Sequence, residues 1–365
     1  MTTLREISNV LEGFASLELQ EEYDNSGLII GNPDAEISKA LITLDITEEV
    51  MEEARQTNCN LIISHHPLIF KGLKRITEQD PIQRMTSKAI RNSIAIYAMH
   101  TNLDNSLKGL NAWVCDLLGV QDCRILLPAK GLLSKLVTFC PVDDADRIRQ
   151  ALFVAGAGHI GNYDCCSYNV NGQGTFRASD KANPYVGKKN VVHVENETRI
   201  EVIFTRFLEK QLVTSLLEVH PYEEVACDII PLSNAAGFAG SGMVGKLDPA
   251  MPAEHFLEKV KQVLGLPYMR HSGFPGKMIT RVAVCTGSGA FLIREAKASG
   301  ADAFLTADLK YHDFFEGNED LLLADIGHYE SERFAKELIY GILIENFPNF
   351  AFLISKIDTN PVHYY

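Results

Sequence analysis

The chain has 365 residues, 46% of them hydrophobic and 22% charged, and 34 basic against 47 acidic side chains give a net charge of −13. That composition supports packed cores in two or three domains, and a field of that sign opposes nucleic acid as a partner. No run reaches the roughly 18 apolar residues of a membrane span, because Glu345 interrupts the nearest candidate, Leu338 to Phe347.

The first predicted element is a helix, in which Leu4, Ile7, Leu11 and Phe14 recur at helical spacing between acidic residues. It does not resemble a cationic export signal, so the chain is expected in the cytoplasm. Eight scattered cysteines without a Cys-x-x-Cys pair fit reduced thiols, and the adjacent Cys165 and Cys166 read as small buried hydrophobes. Next come a strand at Ala40 to Leu44 and a helix opened by Asp45 to Glu49 and running through Thr57. They are followed by a strand at Asn60 to Ser64, a helix at Pro81 to Asn92, a strand at Ser93 to Met99 and a helix at Ser106 to Leu118.

The middle changes style. Leu136 to Pro141, Asp144 to Ala155, Ile200 to Thr205 and Leu208 to Glu218 alternate strand and helix around a glycine-rich stretch that includes Gly156, Gly158, Gly161, Gly172 and Gly174, read as turns. The stretch from Leu127 to about Asn234 therefore reads as an inserted α+β domain. Pro128 with Gly131 marks its start, and Ser233 to Gly242 reads as a return linker of small residues. The expected organisation is a discontinuous core, 1–126 with 237–365, and an insert, 127–236.

The C-terminal part resumes the first rhythm, with strands at Arg281 to Cys285, Ala303 to Thr306, Leu321 to Ile326 and Ala351 to Ile354. Helices are expected at Gly289 to Ser299 and Tyr329 to Glu345. Alternating strands and helices predict an α/β protein with helices on the faces of mixed sheets.

Three strand ends carry groups suited to chemistry. In LIISHHPLIF a buried strand runs into His65, His66 and Pro67. Adjacent strand residues point to opposite faces, so both imidazoles can converge only where the strand stops, as the proline suggests. In AMHTNLDN a strand is followed by His100 and, four residues on, Asp104, which is also placed to cap a helix near Ser106. In DIGHYESERF a strand and a glycine precede His328 and Glu332, whose spacing puts both on one face of a helix, away from the apolar positions 334, 338, 339, 342 and 343. A solvated His–Glu pair is the plainer reading of that motif taken alone.

Together these clusters offer imidazoles and carboxylates without thiolates, a set that suits zinc, manganese, iron, cobalt or nickel rather than calcium. Five donors, His65, His66, Asp104, His328 and Glu332, exceed one open catalytic zinc and suit two bridged divalent ions. Asp24, Asn25 and Gly27 form a second candidate rim that ordinary turn chemistry also explains. His220 with Glu223 and Glu224 reads as a strand entry.

The blocks EEYDNSGLIIG, LDITEEVMEEA, ISHHPLIF, HTNLDNSLKGLN, the TGSG at 286–289, TADLKYHD and GHYESE together resemble the Nif-three-like family, also called GTP cyclohydrolase I type 2 homologs. HIGNYDCCSYNVNGQGTF and HPYEEVACDIIPL resemble the PII-like or CutA-like, ferredoxin-like insert of its longer bacterial members. The resemblance implies that the five donors bind metal, that His100 lies close by, and that the chain forms a ring-shaped homohexamer.

It also implies a metal-dependent hydrolase acting on a small molecule, with opening of the guanine imidazole ring if that molecule is GTP. Lys310 and His312, near another strand end, are the expected contacts for phosphate or a proton. No phosphate-binding loop of the form G-x-x-x-x-G-K-[ST] is present, so a nucleotide would be held by metal and loops. The rival expectation is a metal-binding regulatory or assembly protein with a ligand-sensing insert.

Overall fold

The apolar runs Ala40–Thr43, Leu61–Ser64 and Ala95–Ala98 are buried along their whole length, as strands covered on both faces require. In the computed structural model, which describes residues 2–274, 276–317 and 320–363, they are neighbours in one five-stranded sheet. Phe352–Ile354 and Gly27–Ile30 form its edges, the latter antiparallel and the rest parallel. The helices Leu4–Phe14 and Ala335–Asn346 pack on one face through Leu4, Ile7, Leu11, Leu338 and Ile339. The helices Glu48–Gln56 and Pro81–Arg91 cover the other through Val50, Met51, Met85 and Ala89.

Register decides where the chain leaves this sheet. Thr43 pairs with Ser64 and Ser64 with Ala98, so three neighbouring strands stop at one level. Asp45, His65 with His66, and His100 are delivered to the same carboxyl edge, where ligands bind in open α/β sheets.

A second sheet of six strands repeats the device. Met278–Ser288, Ala303–Ala307 and Leu322–Asp325 run parallel, and Ser288 pairs with Ala307 and Thr306 with Asp325. Their shared end releases Asp308, Gly327 and His328. Ala235–Pro252 continues the sheet on the far side of Met278–Ser288 and Val120–Lys130 closes it, while Arg270–His271 forms the opposite edge.

The chain divides into two compact units, Met1–Pro128 with Phe238–Tyr365, and Ala129–Gly237. The second contains strands Leu133–Pro141, Tyr168–Arg177, Val192–Thr205 and Cys227–Pro231 and helices Ala145–Val154 and Glu209–Val219, in the chain order β–α–β–β–α–β. All its strand pairs are antiparallel, and the first strand lies between the fourth and the third.

Five expectations are corrected. Gly172 and Gly174 lie not in turns but in the strand Tyr168–Arg177, because cross-strand pairing with Val192–Thr205 overrides the weak strand preference of glycine. Ser233 to Gly242 is not a linker: from Ala235 it is strand, its buried Ala236 and Ala239 suiting a close approach. The helix expected from Ser106 starts only at Leu110, with Gly109 as its cap. The helix expected from Tyr329 is two, His328–Glu332 and Ala335–Asn346. Cys165, read as buried, is exposed.

Candidate metal centre

His65 follows the strand Leu61–Ser64 and is fully buried. Its Nδ1 lies 2.7 Å from the carbonyl oxygen of Met99, which can only accept, so Nδ1 carries the hydrogen and Nε2 the lone pair. His66 turns the other way, with Nδ1 2.7 Å from Asp45 Oδ1 and Nε2 2.9 Å from Glu332 Oε2. Backbone bonds from His65 to Thr43 and from His66 to Leu44 hold this turn against the neighbouring strand's end.

His100 is fixed in the same manner, its Nδ1 2.7 Å from Asp24 Oδ1. The other oxygen of Asp24 accepts from Ser26 Oγ and from the backbone and hydroxyl of Thr101. These bonds outweigh burial and hold the Asp24 carboxyl well below the usual range. Asn25 donates to the carbonyl of Ile69, tying the loop before Gly27–Ile30 to the loop after His66. Tyr23 and Phe70, one on each loop, stand with ring centroids 6.2 Å apart, and Phe70 is 6.2 Å from the ring of His100. Asp104 ends the one-turn helix Thr101–Asp104, so it is not the cap of the next helix. Asn102 anchors that turn through a bond to the carbonyl of Ala15.

The second sheet supplies His328 and Glu332 on the short helix His328–Glu332. His328 Nδ1 lies 2.7 Å from Asp308 Oδ2, and His328 Nε2 is 2.9 Å from Glu332 Oε2. Gly287 makes room here. Its φ is +63°, and a Cβ on it would stand 2.1 Å from Glu332 Oε1.

These side chains form overlapping groups: His65, His66 and His100; His66, His328 and Glu332; and His65, Asp104 and Glu332, with donor atoms in each group within 4.8 Å of one another. His65 Nε2 is 3.8 Å from Asp104 Oδ1 and 3.9 Å from Glu332 Oε1, too long for hydrogen bonds. His65 Nε2 and Asp104 Oδ1 are both buried without a hydrogen-bond partner. Burial holds the His65 imidazole down to about 3, so it is neutral near pH 7. Two buried ligand atoms thus face each other with no hydrogen bond between them, an arrangement that a cation relieves.

The other groups show the same crowding of charge. Burial opposes protonation of His66 and His328, but bonds to Asp45 and Glu332, and to Glu332 and Asp308, outweigh it and push them up to about 10 and about 9. Burial and the charge of Glu332 raise the Asp104 carboxyl, whereas Glu332 is lowered by His328 and His66 in spite of its own burial. The residues fit a divalent-ion site: imidazoles with the far nitrogen anchored on a carboxylate or carbonyl are the usual arrangement of metal-binding histidines.

The five expected ligands and His100 are therefore brought together. Lys310 and His312 are exposed beyond the strand Ala303–Ala307, and the imidazole of His312 stacks on Phe315 and stands edge-on to Tyr311. Of the second rim, Asp24 and Asn25 act by holding His100 and Ile69, and Gly27 starts a strand with φ +104°. His220, expected at a strand entry, instead caps the C-terminus of the helix Glu209–Val219, ahead of the strand Cys227–Pro231, and bonds the carbonyl of Phe139. Sequence reading passed over Asp45, Asp308 and the close approach at Gly287. Asp308 directly follows the strand Ala303–Ala307 and Asp45 lies two residues past Ala40–Thr43, the same signal that marked the histidines.

Fold and centre define an α/β protein with a histidine–carboxylate cluster that could hold a metal ion. The family model described as Duf34/NIF3 (NGG1p interacting factor 3) matches residues 2–361, and the chain belongs to that family. It is 35% identical over 360 residues to a protein of Halalkalibacterium halodurans named GTP cyclohydrolase 1 type 2 homolog, covering 97% of each chain. It is also 35% identical to the Bacillus subtilis protein of the same name, covering 98% of this chain and 97% of that one. A Bacillus cereus protein related to NIF3 superposes with a TM-score of 0.84 at 35% identity, covering 100% of this chain and 99% of the other.

Proposed function

We propose that this centre holds two divalent ions, of zinc, manganese, iron, cobalt or nickel, and that the protein is a hydrolase of the GTP cyclohydrolase type. The observation that carries the reading is the anchoring of four imidazoles by Nδ1, on Met99, Asp45, Asp24 and Asp308, around one set of donors. His65, His66, Asp104, His328 and Glu332 would hold the ions, with Glu332 reaching three histidines. Divalent ions would supply Lewis acidity and lower the pKa of bound water toward neutrality.

The chain's own groups then orient the substrate and handle protons. His100, fixed by Asp24, presents its other ring nitrogen beside the cluster for proton transfer. Tyr23 and Phe70 offer aromatic faces next to His100, which suits a planar heterocycle. Lys310 and His312 are the proposed contacts for a phosphate. A cytoplasmic location and a ring-shaped homohexamer belong to the same proposal. So does a PII-like or CutA-like insert, which the β–α–β–β–α–β order of the second unit supports.

The test is turnover of a panel containing GTP, phosphodiesters and cyclic amides by the metal-loaded protein. Turnover of one member, abolished in Asp104→Ala and His328→Ala, is expected. Failure of the loaded protein on every member would favour the regulatory reading.

A further inference from the structure

The second compact unit has a sheet with helices on one face only. Leu136, Cys140, Ile200, Val202 and Phe204 point into the core with the helices Ala145–Val154 and Glu209–Val219. Strand alternation sends Phe139, Glu197 and Arg199 to the opposite face. Register adds Val170 beside Arg199 and Gly172 beside Glu197, so the outer strand contributes Val170, Gly172, Gly174 and Phe176 to that face.

A cavity of about 620 Å³ stands on this floor, lined further by Pro184, Tyr185, Val186 and Tyr222. That volume falls in the range that accepts a small organic molecule. The two glycines create it. A Cβ on Gly172 would meet nothing within 4 Å, so the space above it is open. At Gly174 a Cβ would stand 2.0 Å from Glu197 Oε2, so the bare backbone lets the Glu197 carboxylate lie across the strand.

The charges in the cavity are unbalanced. Glu197, Glu223 and Glu224 line it against Arg199, whose guanidinium lies over the Phe139 ring and 2.8 Å from Glu201, a carboxylate shared with Lys135. Glu197 accepts a 2.8 Å bond from the Tyr222 hydroxyl and, among the described residues, has no ion-pair partner. The Tyr185 and Tyr222 rings stand 6.2 Å apart at its side. An unpaired carboxylate beside aromatic faces recognises a cation carried on an apolar body.

We infer that this cavity binds a small organic amine, its ammonium on Glu197 and its apolar part between Phe139, Phe176 and Tyr185. The site is independent of the metal centre, so its failure leaves the hydrolase reading untouched. Tryptamine is the probe and indole-3-propionate, the same ring with an anionic arm, its control, each titrated calorimetrically into the full chain.

Tryptamine should bind about tenfold or more tightly than the control, the factor expected of one charge-assisted contact. Glu197→Gln keeps the shape and should erase that preference. Gly172→Phe, which fills open space on an extended strand, should abolish binding of both probes while metal content and thermal melting stay as in the wild type. If Gly172→Phe does not fold, Glu197→Gln carries the test alone. No binding of tryptamine, equal binding of the anion, or an undiminished preference in Glu197→Gln would overturn the inference.

Discussion

His65 Nε2 and Asp104 Oδ1 face each other at 3.8 Å, both buried and both without a hydrogen-bond partner. In a metal-free chain that contact costs stability, because a buried carboxyl oxygen without a hydrogen-bond partner loses its hydration uncompensated. Asp104→Asn should therefore leave the metal-free protein at least as stable as the wild type, as read by thermal melting. The same variant should lose most of its affinity for divalent ions in a competition titration. A variant that melts several degrees lower without metal and still binds it normally would contradict this account of the pair.

Gly287 tests the crowding around Glu332. Its positive φ and the 2.1 Å approach of Glu332 Oε1 to a notional Cβ mean that alanine must strain the backbone and displace the carboxylate. We expect Gly287→Ala to lose about 1 to 3 kcal/mol of stability in denaturant unfolding. It should also lose metal, although no ligand has been removed.

The anchoring carboxylates act at a distance from the donors themselves. Asp308→Ala frees His328 Nδ1 and Asp45→Ala frees His66 Nδ1. Each should weaken metal binding by about 10- to 100-fold, the usual effect of removing the partner that orients a metal-binding histidine. Unchanged affinity in both variants would mean that the imidazoles are set by packing alone.

The aromatic pair separates substrate choice from metal binding. Phe70→Ala and Tyr23→Ala should retain full metal content yet raise KM for a heterocyclic substrate, with a smaller effect on kcat. Loss of kcat at unchanged KM would place these rings in the chemical step instead.

Away from the centre, Asp302 supports the second sheet. Its Oδ2 accepts bonds from the backbone nitrogens of Thr280 and Arg281 and from the Thr280 hydroxyl, and Lys277 lies 2.8 Å from Oδ1. Burial opposes the charge, but Lys277 and Thr280 hold the carboxyl below its usual range. A depressed folded pKa gives stability that is present above the unfolded value, about 3.9, and lost as pH falls through the lower folded value. Asp302→Asn should cost about 1 to 3 kcal/mol at pH 7. The gap in Tm between variant and wild type should shrink toward pH 3.

Much of this arrangement was legible in the sequence because the strands that carry the donors are short, wholly apolar and end abruptly. Leu61–Ser64 running into His65, His66 and Pro67 is the clearest case, and the level ends of its neighbours follow from parallel pairing. The strand Tyr168–Arg177 was hidden, because Asn169, Asn171, Gly172 and Gly174 carry no strand preference of their own and are held by cross-strand bonds. Gly287 lies within the TGSG motif, but its closeness to Glu332 arises from packing between residues far apart in the chain. The roles of Asp45 and Asp308 were missed because each reads as turn chemistry until a histidine from elsewhere is seen against it.

The most direct test of the central claim is metal content per chain, by elemental analysis of the wild type after reconstitution with zinc, manganese, iron, cobalt or nickel salts, beside Asp104→Ala and His328→Ala. The account predicts close to two ions per wild-type chain and a clear loss in both variants. A reconstituted wild type that holds no ion, or variants that hold as many as the wild type, would contradict it.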